Sequence, residues 1–171
     1  MKPEARSSLR PATPADLNAI VGLIRELAVY ERLEHMVQVT PETLHPHLFG
    51  PRPVVEAVVA EVPEPGAEAT ARRVVGFALF FTNFSTFLGQ PGLYLEDLYV
   101  QPAYRNLGLG QLLLQHLGAL AVQRGCGRFE WSVLDWNESA IRFYERLGAS
   151  VLPDWRICRV TGEALQRLGR G

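Results

Sequence analysis

Lysine is almost missing from this chain: Lys2 is the only one, and the other fixed cations are all arginine. With 17 basic and 18 acidic residues the net charge is −1, so no strong positive field marks the chain as a generic binder of nucleic acid or anionic membranes. Cysteine is scarce too. Cys126 and Cys158 fit neither a CxxC pair nor a zinc spacing, and a domain of this size folds without a disulfide, so a reducing cytoplasm is the expected location. No apolar run approaches the roughly 20 residues that span a bilayer. The opening MKPEARSSLRPATPADL also lacks the apolar stretch of a signal peptide. His45 and His47, in LHPHLFG, have no acidic or cysteine partner at ligand spacing, so they read as a surface turn and no metal is expected.

What is present is a globular composition, 47% hydrophobic and 20% charged over 171 residues, which points to a single domain with a short flexible N-terminus of about residues 1–8. Thr13, with Pro14 next and Asp16 in the first turn, is a plausible start for a helix running to about Arg32, with Leu17, Ile20, Val21, Ile24, Leu27 and Ala28 on its core face. A second helix is expected from Thr40 to Phe49. Residues 54–62, 74–81 and 93–100 are rich in β-branched and aromatic types and read as three antiparallel strands, with a turn-rich excursion over 82–92. A helix over 108–124, a strand over 129–134, a helix over 137–147, a strand over 155–160 and a short helix over 162–168 complete the order, which implies an α+β architecture.

The crossover after Val100 is the informative one. In QPAYRNLGLGQLLLQ a strand gives way to a glycine-bearing turn and then a helix. Unpaired backbone N–H groups and the helix dipole converge at such a place, which suits phosphate. Amides from Asn106 through Leu107, Gly108, Leu109 and Gly110 to Gln111 could wrap a pyrophosphate, with Arg105 adding a charge-assisted contact. Neither the P-loop pattern nor the dinucleotide fingerprint GxGxxG occurs in this turn.

With its preceding strand, LYLEDLYVQPAYRNLGLGQLLL resembles the cofactor core of the GNAT superfamily of N-acetyltransferases, and VLDWNESAIRFYERLGAS resembles that superfamily's second acetyl-CoA segment. Together with IRELAVYERLE in the first helix, these are similar to the spermidine/spermine and thialysine acetyltransferase branch over roughly residues 10 to 165. The resemblance implies a mixed, mostly antiparallel twisted sheet of six to seven strands with helices on both faces. It implies acetyl-CoA as acetyl donor, and backbone at Leu98, Tyr99 and Val100 holding the pantetheine arm. Asn137, Glu138, Ser139 and Ala140 would touch the cofactor as well. Tyr144 would protonate the departing thiolate, and Glu96 would take the amine proton directly or through water. Tyr30, Glu31, Glu130, Trp131 and Ser132 would line the acceptor pocket, and relatives in the branch imply a homodimer.

Elementary chemistry agrees with those roles. Deprotonating an alkylamine of pKa near 10.4 at neutral pH costs about 4 kcal/mol, so a carboxylate or a carboxylate-lined water path is needed. A thiolate leaving group titrates near 8.5, within reach of a tyrosine hydroxyl, and the amide of Leu98 could meet charge developing on the carbonyl oxygen. Strand alternation puts Glu96 and Asp97 on opposite faces unless a bulge intervenes. By itself Tyr144, in IRFYERLG, reads as a core aromatic, and Tyr30 and Glu31 as an exposed helix end.

Two departures from the resemblance bear on function. Asn106 stands where the motif has glycine, and asparagine tolerates left-handed backbone better than other residues with a side chain. Ser85, Thr86 and Phe87 replace an acidic residue and a tryptophan that polyamine enzymes carry before the catalytic strand, so a short amine or amino acid is the expected acceptor, with polyamines poor or absent. The alternatives are an enzyme acting on protein N-termini or lysines, and a catalytically silent acetyl-CoA sensor.

Overall fold

A computed structural model describes residues 7–68 and 70–171. The flexible stretch expected at about residues 1–8 lies, apart from Ser7 and Ser8, outside the described residues. The chain falls into two compact units, one ending at Ser132 and the other comprising Val133–Gly171.

The first unit is built on a five-stranded sheet in sequential order. Strand β1 (Ser8–Pro11), absent from the sequence-based reading, pairs antiparallel with β2 (Glu56–Pro63), which pairs with β3 (Arg72–Ser85) and that with β4 (Gln90–Val100). The last strand, β5 (Arg128–Trp131), joins β4 in parallel. The parallel step is possible because helix α3 (Leu109–Gln123) supplies the long crossover. Residues 82–92 are no loose excursion: Thr82 through Ser85 and Gln90 through Gly92 extend the β3–β4 hairpin, whose turn is short.

Helix α1 (Leu17–Tyr30) begins after a single 3-10 turn at Pro14–Asp16, and α2 (Pro41–Phe49) begins at Thr40 as its proline-second pattern predicts. Both cover one face of the sheet. Ile20, Val21 and Leu23 of α1 and Leu44 and Leu48 of α2 form a core with Ala57, Val59, Phe77, Leu79 and Tyr99. The residue after the α1 cap, Arg32, adopts a left-handed conformation at φ 61°. Its N–H donates to Val29 O and that of Leu33 to Ala28 O, which satisfies the last carbonyls of the helix.

On the other face α3 packs against β2, β3, β4 and β5. Leu109, Leu113, Leu117 and Ala121, spaced by four, are buried there. Phe80 and Leu95, partners in register, are buried on the face away from α1.

In the second unit, Asn137 caps helix α4 (Glu138–Arg146), its Oδ1 accepting from the Ala140 N–H at 3.3 Å. Helix α5 (Gly162–Leu168) follows. Among the described residues the strands number five rather than six to seven, and the shortfall includes the one expected at 155–160. Trp155 and Ile157 alternate as in a strand but are 78% and 69% exposed, and the described residues 155–160 carry no strand.

Candidate functional site

The site begins with a register slip. Leu79 of β3 faces Asp97 of β4, yet the next residue, Phe80, faces Leu95, so Glu96 is an extra residue bulged out of the ladder. A bulge re-aims side chains that strict alternation would send to opposite faces. Its effect here is that Glu96 and Asp97 both line one cavity, with Glu31 from the end of α1.

That cavity, about 690 Å³, lies between the α1–α2 connection and the sheet. Ile24, Leu27, Leu33, Met36, Val39 and Val55 are among its apolar walls, and its lining contains no lysine or arginine. Burial, then the negative charge of Glu96, then that of Glu31, pushes the Asp97 carboxyl up to about 6. Burial also raises Glu31 above its ordinary value. Three carboxylates therefore converge without a cation from the residues that line the cavity, which is an arrangement that favours a positively charged guest.

The same bulge marks where the sheet opens. Pairing between β4 and β5 ends at Leu95 and Trp131, so Leu98, Tyr99 and Val100 continue along an edge that β5 does not cover. An extended amide-bearing chain could pair there. One acceptor on that edge is already engaged, since Val100 O accepts from Arg105 Nε at 3.0 Å.

Beyond β4, Pro102–Leu107 forms a 3-10 turn, and Gly108, left-handed at φ 69°, links it to α3. Only glycine adopts that conformation without strain. Asn106 is not in left-handed backbone, so the tolerance expected of it is not called upon; the special conformation falls two residues later. Both Gly108 and Gly110 face open space where a side chain would stand. The first amides of α3 lack intrahelical acceptors, so the turn fits a diphosphate.

Arg105 sits beneath two rings, its guanidinium carbon 5.2 Å from the Tyr30 centroid and 5.6 Å from that of Tyr99. Tyr30 thus neighbours the phosphate-type turn and is not among the residues lining the carboxylate cavity. Gln101 ties the same turn to α1 through Nε2 donating to Glu26 Oε1 at 2.8 Å.

Glu130, Trp131 and Ser132 lie at the end of β5, outside that cavity lining. Glu130 accepts from Asn83 Nδ2 at 2.8 Å and pairs with Arg128 at 3.0 Å. The Ser132 and Tyr94 hydroxyls share a hydrogen bond of 2.9 Å, and Trp131 packs against Phe129. In the second unit, Tyr144 is half-buried on α4 beside Phe143, one turn after Ala140. Asp97 is the cavity-lining carboxylate that sequence reasoning passed over. The signal was the acidic pair itself, but which way the pair points depends on a bulge that only the register with β3 reveals.

The acetyltransferase (GNAT) family pattern matches residues 27–149. The chain is 39% identical to a thialysine N-epsilon-acetyltransferase of Mus musculus, over 96% of this chain and 98% of that protein. It is 36% identical to the L-ornithine N5-acetyltransferase NATA1 of Arabidopsis thaliana, over 96% and 88%. Among solved structures, an integron cassette protein from the mobile metagenome of V. cholerae superposes with a TM-score of 0.75 at 24% identity, covering 96% of this chain and 98% of that one.

Proposed function

Because the chain belongs to the GNAT acetyltransferase family, we propose that it moves the acetyl group of acetyl-CoA to the primary amine of a small molecule by direct attack in a ternary complex. The observation that carries this reading is the bulge at Glu96, which supports two functions at one place: a carboxylate cavity for the amine and a strand edge beyond the end of β5 for the donor.

In this reading the turn from Arg105 to Gln111 grips the diphosphate, and the edge from Leu98 to Val100 pairs with the pantetheine arm. Asn137 through Ala140 contribute further cofactor contacts. The donor supplies an activated acetyl group, and the chain supplies position and proton transfer. An ammonium entering the cavity is held by Asp97 and Glu31 and loses its proton to Glu96, directly or through water. The Leu98 N–H meets the negative charge that grows on the carbonyl oxygen. Tyr144 protonates the sulfur as it leaves. Asp97, whose carboxyl titrates near 6, lies closer to working pH than an ordinary carboxylate and shares the base function with Glu96.

The acceptor named for the relatives, thialysine or ornithine, identifies a small amine as the class. Di- or polyamines fit less well, since no second group of carboxylates lines the far end of the cavity. The reading needs no metal ion, and we take the working form to be a homodimer in the cytoplasm.

Thiol release from acetyl-CoA tests the proposal. Purified protein should free coenzyme A only when a primary amine is present, and Tyr144→Phe should lower turnover by about 10²-fold with little change in acetyl-CoA affinity. Thiol release unchanged by every amine would refute acetyl transfer to this class. Full turnover in the phenylalanine variant would remove Tyr144 from the mechanism.

A further inference from the structure

The acidic groups of the cavity stand together, Glu96 and Glu31 both acting on Asp97. Asp97 lies on β4, Leu79 is opposite it on β3, and Ala57 is opposite Leu79 on β2. Val55, two residues earlier, packs against the same core. Crossing two strand spacings, about 10 Å, the wall passes from carboxylates to Leu79 and Val55, and Leu33, Met36 and Val39 of the α1–α2 connection add further aliphatic lining. No acidic side chain lines that far end. The one side chain in the lining able to carry positive charge is His47, which is exposed.

This polarity sorts the acceptors. A diamine or polyamine that places one ammonium at Asp97 carries its second among aliphatic side chains, where an unpaired charge is strongly disfavoured. An amino acid brings a carboxylate into a cavity with three carboxylates and no lysine or arginine. An amine with a hydrocarbon tail meets neither obstacle. Its ammonium finds the carboxylates and its tail covers the aliphatic wall, the common pattern of a largely apolar pocket with few polar groups. Resting on the acetyl-transfer reading above, we propose that the preferred acceptor is a primary monoamine with an apolar tail, which sets this chain apart from relatives named for amino acids.

Catalytic efficiency of the full chain with 2-phenylethylamine, ornithine, thialysine, putrescine and spermidine, read as thiol release from acetyl-CoA, tests this. The expected result is a kcat/KM for 2-phenylethylamine at least about 10-fold above each of the other four. A smaller advantage, or preference for any of the four, overturns the apolar-tail proposal and leaves acetyl transfer standing. Absence of release with all five refutes both. A second arm places a carboxylate within the aliphatic lining by Met36→Glu, at a side chain 64% exposed and so tolerant of the change. The putrescine to 2-phenylethylamine ratio of kcat/KM should rise at least about 5-fold, since the added charge provides the second ammonium with a partner. An unchanged ratio in that variant would show that the aliphatic lining does not contact the acceptor's tail.

Discussion

Two aspartates in the first unit are treated in opposite ways. Asp16 receives both ends of the Arg10 guanidinium, at 2.7 and 2.9 Å, together with the backbone N–H and hydroxyl of Thr13. These bonds, led by the arginine, hold its carboxyl down to about 2. Glu61 binds the same arginine at 3.0 Å and also meets Arg72. Asp97 has only burial and two like charges around it, and its carboxyl rises to about 6. The fold completes the first set of acids with its own cations and leaves the second to a cavity, which separates acids paired within the fold from acids proposed to bind the amine.

Substitutions can break the comparison, and the largest effect belongs to catalysis. Glu96→Gln should lower turnover by about 10²- to 10⁴-fold, as loss of a general base does, while unfolding in urea shows no loss of stability. A variant with normal turnover would place the base elsewhere. Next comes Arg10→Ala, which leaves Asp16 and Glu61 without their shared cation. A buried pair broken on one side costs roughly 3–5 kcal/mol, and the partial exposure of Arg10 reduces this to about 2 kcal/mol, measurable as a shift of the urea midpoint. The amine selectivity of that variant should stay as it was.

Asp97→Asn should act in the reverse sense. A carboxyl raised from 3.8 to about 6 by folding stabilises the native state fully below about 4, and that contribution disappears as pH rises through 6. Removing the charge should therefore stabilise the protein at pH 8 by at most about 3 kcal/mol, and flatten the decline in stability between about pH 4 and 6. The same variant should lose amine affinity, an exchange of function for stability. Asp16 has the opposite sign: its contribution is present above about 3.8 and is lost as pH falls through 2, so acid unfolding of Asp16→Asn should lack that component. The smallest expected effect is on kcat/KM at fixed amine, which should fall tenfold per pH unit below about 6 in the parent chain and less steeply in Asp97→Asn.

Local pattern carried much of this fold. The helix expected over 108–124 and the Thr40-Pro41 start are each set within a single element, and both hold in the structure. What escaped depends on partners distant in sequence. Ser8–Pro11 is a strand only because β2 offers a ladder, and 155–160 is none although its residues alternate. Likewise the motif announced Glu96, while Asp97 joined it through a register slip set by Leu79 and Phe80. At the phosphate-type turn, glycine was expected to matter at the position of Asn106, but the left-handed backbone falls at Gly108.

The Asp97 carboxyl can be followed directly by carbon NMR as pH is varied, first in the protein alone and then with a saturating primary amine. It should titrate near 6 in the free protein and move clearly lower once an ammonium stands beside it. A midpoint that stays near 6 with the amine bound would mean that the carboxylate cavity does not hold the acceptor.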